Sequence, residues 1–491
     1  MNNSMSIVVS VNWCGGWLRS RNRFAIGDCA NQPPLPTTTL KKTALGGLLA
    51  AEILYDIEAL FERQNLDSLD LEALESAVRR QVLSLAARAV EQRLNEDRSD
   101  GDKTHRACGC GQMARYAGRR AKTFHSVLGP LKLERAYYHC ADCDHGFCPR
   151  DPQLGLENTC LSPAITRMIG TVGAMVSFEE GSQLLTELAG VAVNAKQVER
   201  TAEALGKAIA ADEKQHIVAT DELALPPTLY LGLDGTGIPM RSSELSGRTG
   251  KQSDGSAKTR EVKLCTVWSA EGRDENETPV RDVGSVTYTA AIETAATLDT
   301  DKQRSPFSER VLREATRRRF TQADRTVVIG DGAPWIWKIA QELFPRAIQI
   351  VDRFHVKEHL SVLSKLLYPH KPDQAKTWAA RRHEELDSGR LPDLLRAVRR
   401  HADTCDEARK CFQYIHNNRD RMRYPQFHAQ GLCTSSGVVE AGCKVAIGTR
   451  LKRAGMHWTI AGSNSIIALR CSKLSGRFQD YWERRSDRRA A

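Results

Sequence analysis

Leu231-Gly-Leu-Asp234-Gly-Thr-Gly-Ile-Pro239 and Val327-Val-Ile-Gly-Asp331-Gly-Ala-Pro-Trp-Ile336 decide how this chain is read. In each, a short apolar run ends at an aspartate followed by glycine, the pattern of a buried strand that delivers a carboxylate to a sheet edge. Pro334 is placed to open a helix after the second. Carboxylates brought to one edge repel unless a cation lies between them, and hard oxygen donors suit Mg²⁺ or Mn²⁺. Each aspartate taken alone reads equally well as a turn residue. Gly235-Thr-Gly237 lacks the further glycine and the helix of a dinucleotide loop.

Outward from these stretches, residues 229–233, 261–268, 282–288, 326–330 and 347–351 read as strands, and 306–320 and 334–343 as helices. The order is three strands joined as hairpins, then helix, strand, helix, strand: a mixed α/β core. Ile350-Val-Asp352-Arg-Phe-His355 follows the fifth strand, where Asp352 and His355 either hold one another or approach a metal. A structural hydrogen bond is the plainer role for His355. Ser435-Ser-Gly-Val-Val-Glu440-Ala-Gly-Cys-Lys444 reads as a small-residue helix in which a glutamate needs a partner, so Glu440 is the candidate third acid.

Cys108-Gly-Cys110 and Cys140-Ala-Asp-Cys143 form two short knuckles that can converge on one tetrahedral Zn²⁺. The first is shorter than the usual pair, so Cys148, His105, His139 or His145 are alternative ligands, and unliganded buried thiols are the plain alternative. Leu184, Leu185 and Leu188 mark one helix face, Gly190 suits a C-terminal cap, and Asn194 suits the N-cap of a second helix. A helix-turn-helix needs this arrangement, and it places Lys196, Gln197 and Arg200 where side chains reach bases or phosphates. Upstream, Ser68 is a plausible N-cap for the stripe Leu71, Leu74, Val78, Val82, Leu85 and Ala89. With Leu49, Ile53, Ile57 and Leu60 this stripe reads as a helical hairpin.

The 491 residues carry a net charge of +10, with 41% apolar and 26% charged residues. No run of about 18 apolar residues is present to span a bilayer, and the composition argues against a disordered chain. Fourteen cysteines are too sparse for a disulfide scaffold, and five of them crowd into 108–148. From 441 to 491 there are 11 Lys+Arg and 3 Asp+Glu, giving 11 − 3 = +8. That reads as a basic tail for a polyanionic partner, against the plain alternative of a solvated terminus.

Together these stretches resemble the DDE transposases of bacterial insertion sequences, of the Kra type, which are akin to Mutator-like enzymes. The resemblance spans roughly 45–485. It rests on Leu233-Asp-Gly-Thr-Gly-Ile-Pro-Met240, Lys258-Thr-Arg-Glu-Val-Lys263, Gly330-Asp-Gly-Ala-Pro-Trp-Ile336, Val351-Asp-Arg-Phe-His-Val356 and Ser436-Gly-Val-Val-Glu440. Leu451-Lys-Arg-Ala-Gly-Met-His-Trp458 and Ala468-Leu-Arg470 look like that family's basic C-terminal segment.

The resemblance implies a ribonuclease-H-like core, a mixed five-stranded sheet with flanking helices, in which Asp234, Asp331 and Glu440 hold two Mg²⁺ or Mn²⁺ ions. Asp352 and His355 match the Asp-x-x-His signature of Mutator-like relatives. The implied chemistry is attack by water that frees a 3′-hydroxyl at the element end, then attack by that hydroxyl on target DNA. Lys258, Arg260, Lys263, Lys452 and Arg453 would position phosphates. Trp335, Trp337 and Trp458 either stack on bases or fill core, and core is the better reading.

The implied partners are double-stranded DNA, as element ends and target, and a second copy of the chain, in a bacterial cytoplasm at the nucleoid and away from membranes. Along the chain the expected organisation is a flexible leader 1–40, which departs from the family's pattern, a helical hairpin 41–103, a zinc-ribbon-like module 104–152, and a helix-turn-helix-like region 153–222. The first part of the core follows at 223–357, then a helical insertion 358–430, then the final core helix with the basic tail at 431–491. The alternative is a zinc-dependent DNA-binding protein, or a degenerate copy, without catalysis.

Overall fold

The computed structural model describes residues 70–217, 224–295 without 251, 254 and 276, and 304–490, together with Tyr55 and Ala59. The expected leader, and all but these two residues of the first arm of the expected hairpin, lie outside the described residues. Helix α1 is Leu71–Glu96, and its N-cap is Asp70, not Ser68: the Asp70 carboxylate accepts from the Glu72 amide at 3.4 Å. Of the expected stripe only Leu85 is fully buried.

Strands β1 (His105–Ala107), β2 (Met113–Ser126), β3 (Gly129–Cys140) and β4 (His145–Phe147) form an antiparallel sheet in chain order. Phe124, Leu131 and Leu133 of the long β2–β3 hairpin pack with Ala87 of α1. A short helix α2 (Arg150–Leu154) leads to α3 (Pro163–Met175), α4 (Phe178–Ala189) and α5 (Ala195–Gln215).

The central sheet comprises β5 (Thr228–Pro239), β6 (Thr259–Trp268), β9 (Thr287–Ala291), β10 (Arg325–Gly330) and β11 (Ile348–Val351). A two-stranded ribbon of β7 (Gly272–Arg273) and β8 (Pro279–Val280) stands beside it. Its order is β11-β10-β5-β6-β9, with β5–β6–β9 antiparallel and β5–β10–β11 parallel. Helix α6 (Pro306–Arg317) joins β9 to β10 and α7 (Pro334–Leu343) joins β10 to β11, the crossovers that parallel pairing requires.

The third strand is displaced from the expected 282–288. Asp282 instead accepts from the Ser269 hydroxyl and from the Glu271 and Gly272 amides, and Gly284 takes a φ of +75°. A carboxylate that satisfies three donors in a turn competes with the ladder, so pairing resumes only at Thr287.

Helices α8 (Arg353–Leu367), α9 (Pro372–Asp387), α10 (Leu391–Arg399), α11 (Asp406–Asn418) and α12 (Tyr424–Ala429) follow. Their Leu360, Leu394, Val398, Ile415 and Tyr424 belong to the same apolar cluster as Leu231, Leu233, Val267, Ile329 and Ile350 of the sheet. Then come α13 (Gly437–Gly442), a π-helical turn Cys443–Gly448 and α14 (Thr449–Leu451) in one continuous rod, followed by α15 (Ile460–Leu474) and α16 (Phe478–Ala490). A second cluster joins Ile238, Val262 and Leu264 to Val198 and Leu205 of α5 and to Ile466 and Ile467 of α15.

The 441–491 region is not a tail. Arg450 has no exposed surface and donates to the Gly173 carbonyl at 2.9 Å, while Arg470 donates to the carbonyls of Ala174 and Val445. Carbonyls at the C-terminal end of α3 are left without helical partners and carry the negative end of its dipole, so they suit buried guanidinium groups. Among the described residues no helix is long and apolar enough to cross a membrane.

Candidate functional site

Strand β5 pairs with β10 up to Leu233 opposite Gly330, and β10 pairs with β11 up to Gly330 opposite Val351. The next residues are Asp234, Asp331 and Asp352. Three aspartates therefore stand in one row where the parallel ladder stops, the end at which open α/β sheets present ligand-binding groups. The expected turn after Asp234 is absent: β5 continues to Pro239, paired with β6, and Asp234 lies opposite Leu264. A Cβ on Gly235 would meet the Glu261 carboxylate at 2.3 Å, a flexible and half-exposed group that can move aside.

The Asp234 carboxylate accepts from its neighbour's Gly235 amide at 2.6 Å and from the Cys443 thiol at 3.2 Å. Burial raises its pKa above the ordinary carboxylate range, against these two hydrogen bonds, and the Asp331 charge pushes it further up. Asp331 accepts from the Ala333 amide at 2.9 Å through its side chain and from the Tyr414 hydroxyl at 2.7 Å through its carbonyl.

Asp352 is buried and N-caps α8 through the Phe354 amide at 2.7 Å and the His355 amide at 3.4 Å. Its other oxygen accepts from the Ser436 amide at 3.1 Å and from the Ser436 hydroxyl, fastening the start of α13 to the row. Asp352 thus holds the backbone of residue 355, while the His355 ring meets His359, Nε2 to Nε2 at 3.1 Å. Burial lowers the His359 pKa, and His355 adds to the effect.

Glu440 lies on α13 at the rim of a cleft of about 460 Å³ lined by Asp234, Thr236, Cys443, Lys444, Thr449 and Lys452, among others. The α13 rod approaches the sheet closely at two glycines. A Cβ on Gly232 would meet Val439 at 2.0 Å, and one on Gly442 would meet Leu264 at 3.0 Å. Glu440 itself is turned outward and pairs with Lys444 at 2.8 Å, with its side chain 65% exposed. The three carboxylates Asp234, Asp331 and Glu440 do not converge: among the described residues only Cys108, Cys110, Cys140 and Cys143 form a group of three or more metal-ligating atoms within 4.8 Å of one another.

These four sulfurs come from the β1–β2 and β3–β4 knuckles. Cys108 lies 3.6 Å from Cys143, and Cys110 lies 3.7 Å from Cys140. The edge of a sulfur tetrahedron around an ion at about 2.3 Å is about 3.8 Å, so the cluster fits one tetrahedral ion. Cys148, His105, His139 and His145 stand outside it; His139 pairs with Asp144 at 2.9 Å.

The basic candidates divide. Lys196 and Arg200 are exposed on α5, Lys196 pairing with Glu199, whereas Gln197 turns inward to Cys160. Helix α5 is pinned to the core along Val198, Ala202, Leu205 and Ile209, and Leu188 of the expected α4 face points to solvent. Lys258 is exposed. Arg260 is partly buried, with its pKa lowered by that burial. Lys263 is held by Glu261 at 2.7 Å and lies over the Trp335 ring, so it is not a free cation. Lys452 donates to Thr236 in the cleft, and Arg453 pairs with Glu180 of α4. Trp337 and Trp458 are buried, as core residues.

Residues 65–486 match an uncharacterised protein family, UPF0236. The chain belongs to UPF0236. No curated protein matches this UPF0236 chain in sequence. Among solved structures it is similar to the Drosophila P element transposase strand transfer complex, with 10% identity and a TM-score of 0.25 over 69% of this chain and 84% of that one.

Cys443, Ser436 and Tyr414 touch the aspartate row of this UPF0236 chain without having been read from its sequence. Cys443 lay in plain view, three residues after Glu440 and so one helical turn along. Tyr414 carries no local signal, because its contact spans 83 positions.

Proposed function

We propose that this protein is a DNA transposase with a ribonuclease-H-like core, in which Asp234, Asp331 and Glu440 carry metal-dependent cleavage and strand transfer. The observation that carries the reading is the row of aspartates at the end of the parallel ladder, with the Glu440 helix packed against it at Gly232. The sheet order, three antiparallel strands followed by two parallel ones, agrees with such a core.

The donor set at Asp234 and Asp331 fits divalent cations: two neighbouring acids, one raised by burial and by the other's charge, are relieved when a cation lies between them. Glu440 completes the set when it leaves Lys444. That exposed ion pair is worth at most about 1 kcal/mol, so releasing it costs little. Bound Mg²⁺ or Mn²⁺ would polarise the phosphoryl oxygens and favour the attacking oxygen as a nucleophile.

The chain's own groups do the rest. Asp234 and Asp331 are oriented by the Gly235 and Ala333 amides, and Lys452 and Lys444 face the cleft where phosphates enter. In the first step a water oxygen bonds to phosphorus, the bond to the 3′-oxygen breaks, and that oxygen leaves as a hydroxyl. In the second step this hydroxyl attacks a target phosphodiester, and the target's 3′-oxygen leaves in turn. Lys196, Arg200, Lys258 and Arg260 hold the DNA backbone, and a Zn²⁺ in the four-cysteine cluster holds the β1–β4 module. Joining two ends requires at least two copies of the chain.

A second reading, DNA binding without catalysis, is favoured by the outward turn of Glu440. One assay separates the two: labelled duplex from the flanks of this gene, incubated with Mn²⁺ and protein. Nicking by wild type, none by Asp331→Asn, and equal DNA binding by both support the catalytic reading. Binding without nicking by wild type supports the second, and equal nicking by both proteins sinks the triad.

A further inference from the structure

The helices between residues 358 and 430 reach the aspartate row through Tyr424, whose hydroxyl donates to the Val351 carbonyl at 3.0 Å, and through Tyr414 of α11. Its hydroxyl donates to the Asp331 carbonyl at 2.7 Å. Its ring fills the space beside Gly332, where a Cβ would lie 2.5 Å from the ring edge; Gly332 has a φ of +99°, which other residues rarely adopt. The hydroxyl and the ring edge of one side chain therefore both bear on the Asp331–Gly332 peptide. On the far side, the His359 ring lies 4.8 Å from the Tyr414 ring. Cys411 and Ile415, on the same helix, are buried and anchor α11 in the main apolar cluster.

The Asp331 side chain depends on this peptide. One of its oxygens accepts from the Ala333 amide at 2.9 Å, two residues on, so the carboxylate keeps its direction only while the 331–333 turn keeps its shape.

We propose that Tyr414 is a positioning residue for Asp331, and that the helical segment acts on the cation-binding row by locking the 331–333 turn. This rests on the reading of Asp331 as a cation ligand given above. Losing a single hydrogen bond of this kind weakens what it supports by about two- to tenfold.

The test uses the full chain with its cysteine cluster filled by Zn²⁺, and compares wild type, Tyr414→Phe and Asp331→Asn. Mn²⁺ binding is read without DNA from the electron paramagnetic resonance of the free ion, and amide hydrogen exchange is read segment by segment. Tyr414→Phe keeps the ring and should weaken Mn²⁺ binding about fivefold, with faster exchange confined to the 331–334 segment. Asp331→Asn should weaken binding much more.

Mn²⁺ binding by Tyr414→Phe within a factor of about two of wild type, beside a weakened Asp331→Asn, overturns this inference alone. Faster exchange throughout the chain also overturns it, since Tyr414 would then serve general packing. Unchanged Mn²⁺ binding by Asp331→Asn overturns the underlying reading of the row instead.

Discussion

Single residues in this protein differ in how they carry buried charge. Glu314 has no exposed surface, yet its pKa is lowered: burial opposes the charged form, and Arg477, at 3.1 Å, and Arg317 outweigh it. A carboxylate whose folded pKa lies below its unfolded value contributes stability above the unfolded value, and that contribution is lost as the pH falls through the folded one. Glu314→Gln should therefore lower stability at pH 7 by about 3–5 kcal/mol, since it leaves Arg477 short of a buried partner. The deficit relative to wild type should shrink as the pH falls below the ordinary glutamate range. Urea unfolding of both proteins at pH 7 and pH 4 checks this, and a deficit independent of pH would contradict it.

Asp234 is the opposite case. Its carboxyl is raised by burial, so ionising it costs folding free energy at neutral pH. Asp234→Asn should abolish cleavage and at the same time raise the melting temperature at pH 7. A lower melting temperature would mean that Asp234 is a structural residue.

At the scale of elements, close approaches fix the geometry. Helix α5 crosses α15 at Gly206, where a Cβ would fall 2.0 Å from the Ser465 carbonyl oxygen. Backbone cannot give way as a flexible side chain does, so Gly206→Ala should cost about 1–3 kcal/mol in urea unfolding. The four cysteines are spaced to hold one metal ion, and the apolar cluster beside them, Ala114, Ala136 and Tyr138, is small, so removing a ligand is expected to loosen the module. Purified protein should carry one zinc per chain, and Cys140→Ser should lose it and expose the β2–β3 hairpin to protease. Retained zinc in Cys140→Ser would contradict the four-sulfur site.

What was legible in the sequence follows from range. The strands at 229–233, 261–268 and 326–330 announce themselves by apolar runs, and the helix at 334–343 by its proline, because local pattern and tertiary burial agree there. Asp331 was legible as a strand-end acid, whereas Asp234 marks the end of the parallel ladder but lies inside its strand. Their neighbourhood was not legible. Gly235 reads as a turn residue but lies within a continuing strand, and Asp282 delays the third strand through hydrogen bonds made across a turn. The rotation of Glu440 toward Lys444 depends on how the rod with its π turn seats on the sheet, which no local pattern records.

Across the whole molecule, the basic excess at the C-terminal end has a different meaning from the one its count suggests. Arg450, Arg470, Arg477 and Arg484 bind carbonyls and carboxylates of α3, α5 and α6, so part of that charge welds the α13 rod, α15 and α16 to helices on either side of the first three sheet strands in the chain. Arg453 extends the link to Glu180 at the start of α4, and Lys452 beside it reaches Thr236 in the cleft. The helix pair α4–α5 and the aspartate row therefore share one framework.

The proposed role of the aspartate row is phosphodiester chemistry on DNA. Its most direct test is movement in cells of a marker flanked by the DNA that neighbours this gene, with wild-type protein or Asp234→Ala supplied alongside. The account predicts movement with the first and none with the second at equal protein level. Movement with both would contradict it.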